Sequence, residues 1–271
     1  MDCPKILASL AATALFVGCA TEPPPAPRAS IDPVERVRAN SALDVFQDLA
    51  TRDEWYGVYF RGELGGQLER KRSVRNGEIR IVTTVTSNND NIQAFTILEH
   101  FDAGAPHDAT LLEIREDNGD VSRVVKMPDG YVAEATRNGV SKRDTLFDFR
   151  YRLADLLAAE IWVRDGAEAG DCLSYPGYSL TDFSRQFNRE CIVREDKHLF
   201  DGEEIEAVVT RLNGSVRIKR ARESGMELVT RQTLNVELRL ARRSIVTQRG
   251  KPDTAGPVIL AASEVGMQLQ E

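Results

Sequence analysis

Apolar and polar residues alternate along most of the chain after residue 54. In 203–212 and 215–222, charged Glu, Arg and Lys residues stand at every second position between apolar residues. Because successive side chains of a β-strand point to opposite faces, this pattern predicts strands with one buried and one solvated face. One solvated face is typical of an antiparallel sheet. A similar pattern in 227–239 predicts one last long strand.

Asn-Gly pairs separate the predicted strands and indicate where the chain reverses. The two central residues of a tight hairpin turn need a positive φ, which asparagine tolerates and glycine adopts freely. Four such pairs and one Asp-Gly pair lie between apolar or β-branched segments: Asn76-Gly77, Asn118-Gly119, Asn138-Gly139, Asn213-Gly214 and Asp129-Gly130. A series of hairpins predicts a meander, in which each strand pairs antiparallel with the next.

Two other segments have the residue spacing of helices. In 31–52, Asp32 fits the N-cap, Pro33 fits the first helical position, and apolar residues recur at helical spacing. Apolar residues with similar spacing predict a second helix, of about four turns, over 146–163. This second helix is expected to pack across the sheet and to fill its concave side.

Together these elements predict a mainly β fold, namely a large curved antiparallel meander sheet with one or two packed helices. The sheet is expected to begin near residue 54 and to belong to a single β-rich domain over 31–271. A final segment, 258–268, fits either a strand or a helix.

The first 30 residues resemble a bacterial lipoprotein export signal. An apolar run of 12 residues, Ile6 to Val17, is too short to cross a bilayer as a helix and suits the core of a signal peptide. Gly18 and Cys19 follow, and in such signals a cysteine after a small residue is lipidated and becomes the mature N-terminus. The resemblance implies a signal peptide over 1–18 and a lipidated Cys19 that begins a Pro-rich tether over 19–30. The alternative is an ordinary cleavable signal peptide in which the cysteine is incidental.

The same resemblance implies an outer membrane lipoprotein that faces the periplasm. Several acyl chains on one cysteine anchor a protein stably, so the membrane is a predicted partner through the lipid anchor. Ala20 stands where lipoproteins retained at the inner membrane of enteric bacteria carry Asp, which favours the outer membrane. The net charge of −7 argues against nucleic acid as a partner.

Two of the four cysteines are left to the folded domain. Cys3 lies in the predicted signal peptide and Cys19 takes the lipid, so Cys172 and Cys191 remain. An exported chain folds in an oxidising compartment, which predicts a disulfide between these two residues. Such a bond stabilises a fold by about 3 kcal/mol when its geometry is unstrained.

Two short motifs resemble the β-rich N-terminal module of bacterial exported transglutaminase-like proteins. The first is the aromatic run 55–60 followed by Gly62 and Gly65-Gly66, and the second is 169–171 before Tyr175 and Tyr178. The resemblance covers roughly residues 53 to 245, and the catalytic domain that follows such a module is missing. It therefore implies an accessory domain without transferable catalytic residues. The chain resembles more loosely the open curved sheets of exported lipid carriers.

A catalytic alternative rests on Cys172 and His198. A Cys–His pair is the usual apparatus of acyl transfer. Against it, Pro176-Gly177 breaks the helix that would activate the thiol, Cys191 is an available disulfide partner, and His198 is predicted to lie in an exposed turn. The three histidines are scattered without metal-ligand spacing, and neither a metal nor a cofactor is predicted.

Aromatic residues are the most suggestive candidates for binding. Most are predicted to belong to the core, but some of them could line a groove for an apolar or glycan ligand: Trp55, Tyr56, Tyr59, Tyr175 and Tyr178.

The favoured function is a non-catalytic, periplasm-facing lipoprotein that binds or scaffolds an envelope protein or polymer. The alternative is a carrier of a lipid or other apolar ligand in a β-sheet cavity, and a Cys–His acyltransferase or hydrolase is the least favoured.

Overall fold

The computed structural model describes residues 52–245 except 105, 148, 180–183 and 233–235. The predicted signal peptide, the lipidated Cys19, the tether and the segment 258–268 lie outside the described residues. So does the predicted helix over 31–52, apart from Arg52, which begins the first strand.

One antiparallel sheet of 14 strands and two short helices make up the described fold, as the mainly β prediction expects. The helices are α1 (Leu153–Leu156) and α2 (Ala158–Arg164). The strands are β1 (Arg52–Phe60), β2 (Glu63–Arg75), β3 (Glu78–Ser87), β4 (Phe95–Asp102), β5 (Ala109–Glu116), β6 (Val121–Met127), β7 (Gly130–Arg137), β8 (Val140–Leu146), β9 (Cys172–Tyr178), β10 (Arg185–Phe200), β11 (Glu203–Leu212), β12 (Val216–Ala221), β13 (Glu227–Arg231) and β14 (Val236–Ile245).

The chain enters the sheet at its centre and builds it outward in two meanders. Strand β1 pairs with β2 on one side and with β14 on the other. Strands β2 to β8 run to one edge, α1 and α2 carry the chain to the other edge, and β9 to β14 run back to β1. The spatial order is therefore β8 to β1 followed by β14 to β9, with every neighbouring pair antiparallel.

The Asn-Gly pairs form turns between the strands where the sequence places them. Asn76 and Gly77 have φ values of 52° and 75°, which are those of the tight hairpin turn between β2 and β3. Two turns without Asn-Gly use the same backbone conformation, namely Arg61-Gly62 and Asp201-Gly202.

Two predicted elements are corrected by the structure. The segment 227–239 is not one long strand, because the chain reverses after Gln232 and β13 pairs antiparallel with β14. The predicted helix over 146–163 is shorter and divided, since Leu146 ends β8 and α1 begins at Leu153. Just before α1, Arg152 is extended and the backbone around it bonds to the start of β5 and to the loop before it. The Ala109 N–H donates to the Tyr151 carbonyl at 2.8 Å, and the Leu153 N–H donates to the His107 carbonyl at 3.0 Å.

The sheet is open but strongly curved. The ring of Phe149 lies 4.6 Å from that of Tyr131 in β7 and 4.5 Å from that of Tyr178 in β9. Strand β7 is next to one edge of the sheet and β9 is the other edge. One side chain can touch both only because the sheet curls around the segment that carries α1 and α2.

The helices divide the apolar interior into two parts. Leu153, Leu157 and Ile161 pack into a large cluster with β1 to β7 and with β13 and β14. Trp162 and Val163 pack into a second cluster with β9 to β12. The space between the two clusters is where the polar residues described next meet.

Candidate functional site

Charged residues occupy inward-facing positions on several strands. In β4 the inward set is Phe95, Ile97, Glu99 and Phe101, and all four residues are buried. Arg220 continues the buried set of Val216 and Ile218 in β12 in the same way. A charge in phase with the apolar residues of a strand must enter the interior, because the side-chain period of a strand is two. The phase of these charges within the alternation is therefore a sequence signal for the buried site.

These charges line a cavity of about 130 Å³ between the sheet and the helices. Residues from both halves of the sheet and from α2 contribute to the wall. The charged wall includes Arg70, Arg72, Glu99, Glu160, Arg220 and Glu227. A volume of this size holds a few water molecules or one small polar group, since a water occupies about 30 Å³ of liquid.

One ion-pair network joins β1 and β2 at the cavity wall. The Glu54 carboxylate is fully buried and its Oε1 lies 2.6 Å from Arg72 Nη1. Its Oε2 accepts the Tyr56 hydroxyl at 3.1 Å and lies 3.6 Å from Arg70 Nη1. A buried carboxylate is costly unless it is paired and hydrogen-bonded, and Glu54 is both.

A second network joins β10, β11 and β12 on the other side of the cavity. Arg220 forms a forked pair with Glu190, with Nε–Oε1 at 2.8 Å and Nη2–Oε2 at 3.2 Å. Tyr175 and Thr210 donate their hydroxyls to the same carboxylate. Arg220 Nη1 also lies 3.4 Å from Glu227. Burial by itself would raise the pKa of Glu227, but Arg220 and Arg70 lower it below its ordinary value.

Glu160 of α2 contacts the network that joins β1 and β2. Its Oε1 lies 3.5 Å from Arg72 Nη2. Among the described residues, Glu160 Oε2 and Arg72 Nε are buried without a hydrogen-bond partner. Burial raises the pKa of Glu160, and Arg72 offsets only part of that effect.

Two charged groups of the cavity keep most of their hydrogen-bonding capacity. Glu99 is 4 % exposed, and within the described part of the chain its carboxylate has no hydrogen bond and no close ion pair. Burial raises its pKa from the ordinary 4.5 to about 7, although Arg70 and Arg72 act in the opposite direction. The side chain of Arg70 is 13 % exposed, and its one ion pair in the described structure is the 3.6 Å contact with Glu54.

The aromatic residues predicted to form a groove do not come together. Tyr56 faces the core, whereas Trp55 and Tyr59 lie on the other face of β1 under Arg242 and Arg239. Tyr175 lines the charged cavity. Tyr178 belongs to the large apolar cluster beside Phe149.

Cys172 and Cys191 form a disulfide, as predicted. They are directly opposite each other on β9 and β10, so the bond fastens the edge strand to its neighbour.

His198 lies within β10, opposite Ile205, and not in the predicted exposed turn. Seven residues of strand separate it from Cys191, which is about 23 Å, so His198 cannot reach the Cys172 sulfur. The two residues therefore do not form a Cys–His pair.

The remaining histidines lie near the β4–β5 connection. His107 is buried and its Nδ1 is 3.1 Å from the Asp102 carbonyl oxygen, while His100 contacts Glu78 at 3.5 Å. Over the described residues, no group of three or more His, Cys, Asp and Glu side chains is arranged to hold a metal ion.

Comparisons with known proteins give no family for this chain. No protein-family model matches the sequence, and no curated protein matches it either. Within the described ranges, the helices are too short and too polar to cross a membrane. The geometry of the cavity and the N-terminal sequence therefore remain the features that point to a function.

Proposed function

We propose that the protein is a non-catalytic, lipid-anchored binding domain of the cell envelope that faces the periplasm. It takes a charged polar group of an envelope protein or polymer into the cavity between the sheet and the helices. The observation that carries this proposal is the pair of Arg70 and Glu99. Both lie in the cavity wall with unused hydrogen-bonding capacity, one as a donor and the other as an acceptor.

The charge balance of the cavity supports a polar ligand. Six carboxylates line the cavity or pair with its arginines, namely those of Glu54, Glu99, Asp155, Glu160, Glu190 and Glu227. They meet three guanidinium groups, those of Arg70, Arg72 and Arg220. A buried excess of carboxylates is unfavourable unless protons or a ligand donor compensate it. A group that presents hydrogen-bond donors to Glu99 and an acceptor to Arg70 would satisfy both side chains.

The alternative of an apolar carrier is less well supported by this geometry. A cavity of about 130 Å³ is smaller than the roughly 300–1,000 Å³ of sites that hold drug-sized ligands. An acyl chain would also displace water from charged groups without forming hydrogen bonds to them. The resemblance to the β-rich N-terminal module of exported transglutaminase-like proteins stays a proposal, and it implies an accessory domain without transferable catalytic residues.

Binding at the cavity can be tested by native mass spectrometry of the full chain purified from its own membranes in mild detergent. We expect wild type to carry additional mass beyond the chain and its lipid. Arg70→Gln and Glu99→Gln should lose that mass, while Arg217→Gln, an exposed arginine of β12, should keep it. Wild type without additional mass would count against the cavity as a binding site. Added mass that dissolves in organic solvent and carries acyl chains would favour the apolar carrier.

The lipid anchor has its own test. Cells that express the wild-type chain are labelled with radioactive palmitate, and the same is done with Cys19→Ser. We expect label on wild type and none on the variant, because Cys19 is the proposed lipidation site. Unlabelled wild type that fractionates with the cytosol would refute the envelope location.

A further inference from the structure

Within the described part of the chain, strand β8 is an open edge of the sheet. It is the first strand in the spatial order and pairs there only with β7. Every residue from Val140 to Thr145 is exposed, and Val140 keeps 71 % of its area. Such an edge presents unpaired backbone groups to any strand that can lie beside it.

The hairpin turn determines which backbone groups of β8 are free. Asn138 and Gly139 both have positive φ, so the turn is a two-residue turn closed by the hydrogen-bonded pair Arg137 and Val140. Along an antiparallel pair, hydrogen-bonded residue pairs alternate with pairs that are not hydrogen-bonded. Counting from Val140, the N–H and C=O groups of Ser141, Arg143 and Thr145 therefore point away from β7. The Thr145 N–H agrees with this direction, because it donates to the Asp144 carboxylate at 2.9 Å and not to β7.

The sequence of β8 is complementary to itself. It reads Val-Ser-Lys-Arg-Asp-Thr-Leu over 140–146. When a second copy lies antiparallel with Arg143 at the centre, Lys142 faces Asp144 of the second copy, and the same pair occurs again by symmetry. Val140 faces Leu146 of the second copy, also twice. Because these four positions share one face of the strand, they form a continuous ladder of matched pairs.

Other registers lack this match. A two-fold axis between the two edge strands keeps each side chain on its own face of the sheet. The axis must therefore pass between one residue and the same residue of the second copy. Centring on Lys142 places two lysines opposite each other, and centring on Asp144 places two aspartates opposite each other. Charges on an edge usually block pairing. In β8, the order of the charged residues disfavours pairing with other strands and in other registers, but it allows pairing with the β8 strand of a second copy.

Arg143 is the one position where like charges meet in the matched register. Glu134 of β7 lies beside it, with Arg143 Nε at 3.5 Å from Glu134 Oε1. Each copy therefore brings a carboxylate to its own arginine, which reduces the repulsion at the centre of the pair.

We propose that two copies of this chain associate edge to edge through β8, with Lys142 of each copy paired to Asp144 of the other. The sheet then continues from one copy into the next about a two-fold axis. A single strand pair buries little surface, so the association is weak, with a dissociation constant of about 100 µM. The proposal does not depend on what the cavity binds.

Charge reversal tests the pairing directly. The full chain is purified in mild detergent and its self-association is measured by analytical ultracentrifugation at concentrations up to about 1 mM. Lys142→Asp leaves two aspartates facing two aspartates, and Asp144→Lys leaves two lysines facing two lysines. We expect each single variant to weaken dimerisation about tenfold or more. The double variant K142D/D144K restores opposite charges and should dimerise like wild type.

Mixing the two single variants provides a second readout. An equimolar mixture of K142D and D144K has complementary edges and should form heterodimers that neither variant forms with itself. Arg217→Asp, an exposed reversal on β12, serves as the control and should not change dimerisation. A wild type that stays monomeric, single variants that dimerise like wild type, or a mixture that does not associate would each overturn the proposal.

Discussion

Glu99 shows what the interior of the sheet does to a single side chain. It stands on β4 between Ile97 and Phe101, and burial raises its pKa to about 7. The folded protein therefore binds a proton at this site more tightly than the unfolded chain does. Its contribution is most favourable below pH 4.5 and is lost as the pH rises toward 7, because the buried carboxyl then ionises at a cost.

Glu99→Gln removes this cost and is expected to abolish the pH dependence that this site gives to stability, because an amide does not ionise. The shift corresponds to about 3 kcal/mol at full ionisation, and about 2 kcal/mol of it develops between pH 5 and pH 8. We expect the free energy of unfolding of the variant to exceed that of wild type by about 2 kcal/mol more at pH 8 than at pH 5. Urea unfolding at the two pH values measures the difference.

Glu203→Gln is the control for this titration. Glu203 is an exposed carboxyl on β11, so the change should leave the pH dependence of stability as in wild type. A Glu99→Gln variant with the same pH dependence as wild type would show that Glu99 ionises freely in the folded protein.

The buried charges were only partly within reach of the sequence. Glu99 and Arg220 continue the apolar alternation of their strands, so their burial could have been predicted from that phase. The ion pairs that join distant elements at the cavity could not be predicted. Arg72 contacts Glu160 across 88 residues of chain, and that contact depends on where the crossover places α2.

The turn between β12 and β13 shows how an element positions the cavity wall. Gly225 lies against the backbone of α2, where a Cβ atom would stand 1.9 Å from the Glu160 carbonyl oxygen. Its φ is +68°, and its own carbonyl accepts Arg220 Nη1 at 3.4 Å. A glycine is therefore needed both for the turn and for the close approach of α2.

Gly225→Ala is expected to displace this turn from α2 and to destabilise the fold by more than about 2 kcal/mol. Thermal unfolding followed by circular dichroism measures the loss. Gly214→Ala is the matched control, since Gly214 has a similar φ of +74° but open space around it. It should cost only about 1 kcal/mol of backbone strain. Equal losses in the two variants would contradict the packing of Gly225 against α2.

The disulfide stabilises the edge strand β9. Replacing both Cys172 and Cys191 by Ser should lower the free energy of unfolding by about 3 kcal/mol, because the cross-link no longer restricts the unfolded chain. Urea unfolding without reductant measures the change. A loss close to zero, or labelling of Cys172 by a thiol reagent in the unreduced protein, would show that the bond is not formed.

Most strands could be predicted from alternation and from Asn-Gly turns, but some boundaries could not. Arg61 takes a left-handed conformation that its residue type does not signal, so the turn between β1 and β2 is not among those that Asn-Gly pairs predict. The alternation of 227–239 also continues through the reversal after Gln232, and this hid the division into β13 and β14. Apolar spacing over 146–163 likewise predicts a single helix, whereas Arg152 is still extended and α1 begins only at Leu153.

At the scale of the whole molecule, the chain builds a curved open sheet from its centre outward. The meander followed from the sequence, but the central position of β1 did not, because pairing between β1 and β14 spans the whole domain. Local patterns cannot encode that contact. Phe149 contacts both ends of the sheet and so holds them near each other.

Phe149→Ala is expected to loosen the end of the sheet formed by β9. The loss of two aromatic contacts and of apolar packing should cost about 2–3 kcal/mol. Amide hydrogen exchange should become faster in β9, and Phe147→Ala should leave it unchanged because Phe147 is 88 % exposed. Unchanged exchange in the Phe149 variant would mean that other contacts hold the curvature.

The role of the interior as a binding site is tested most directly by a high-resolution crystal structure of the chain purified from its own membranes. We predict continuous density in the cavity that contacts Arg70 and Glu99 and is larger than a water molecule. Separate water molecules alone at both side chains would contradict the proposed binding function.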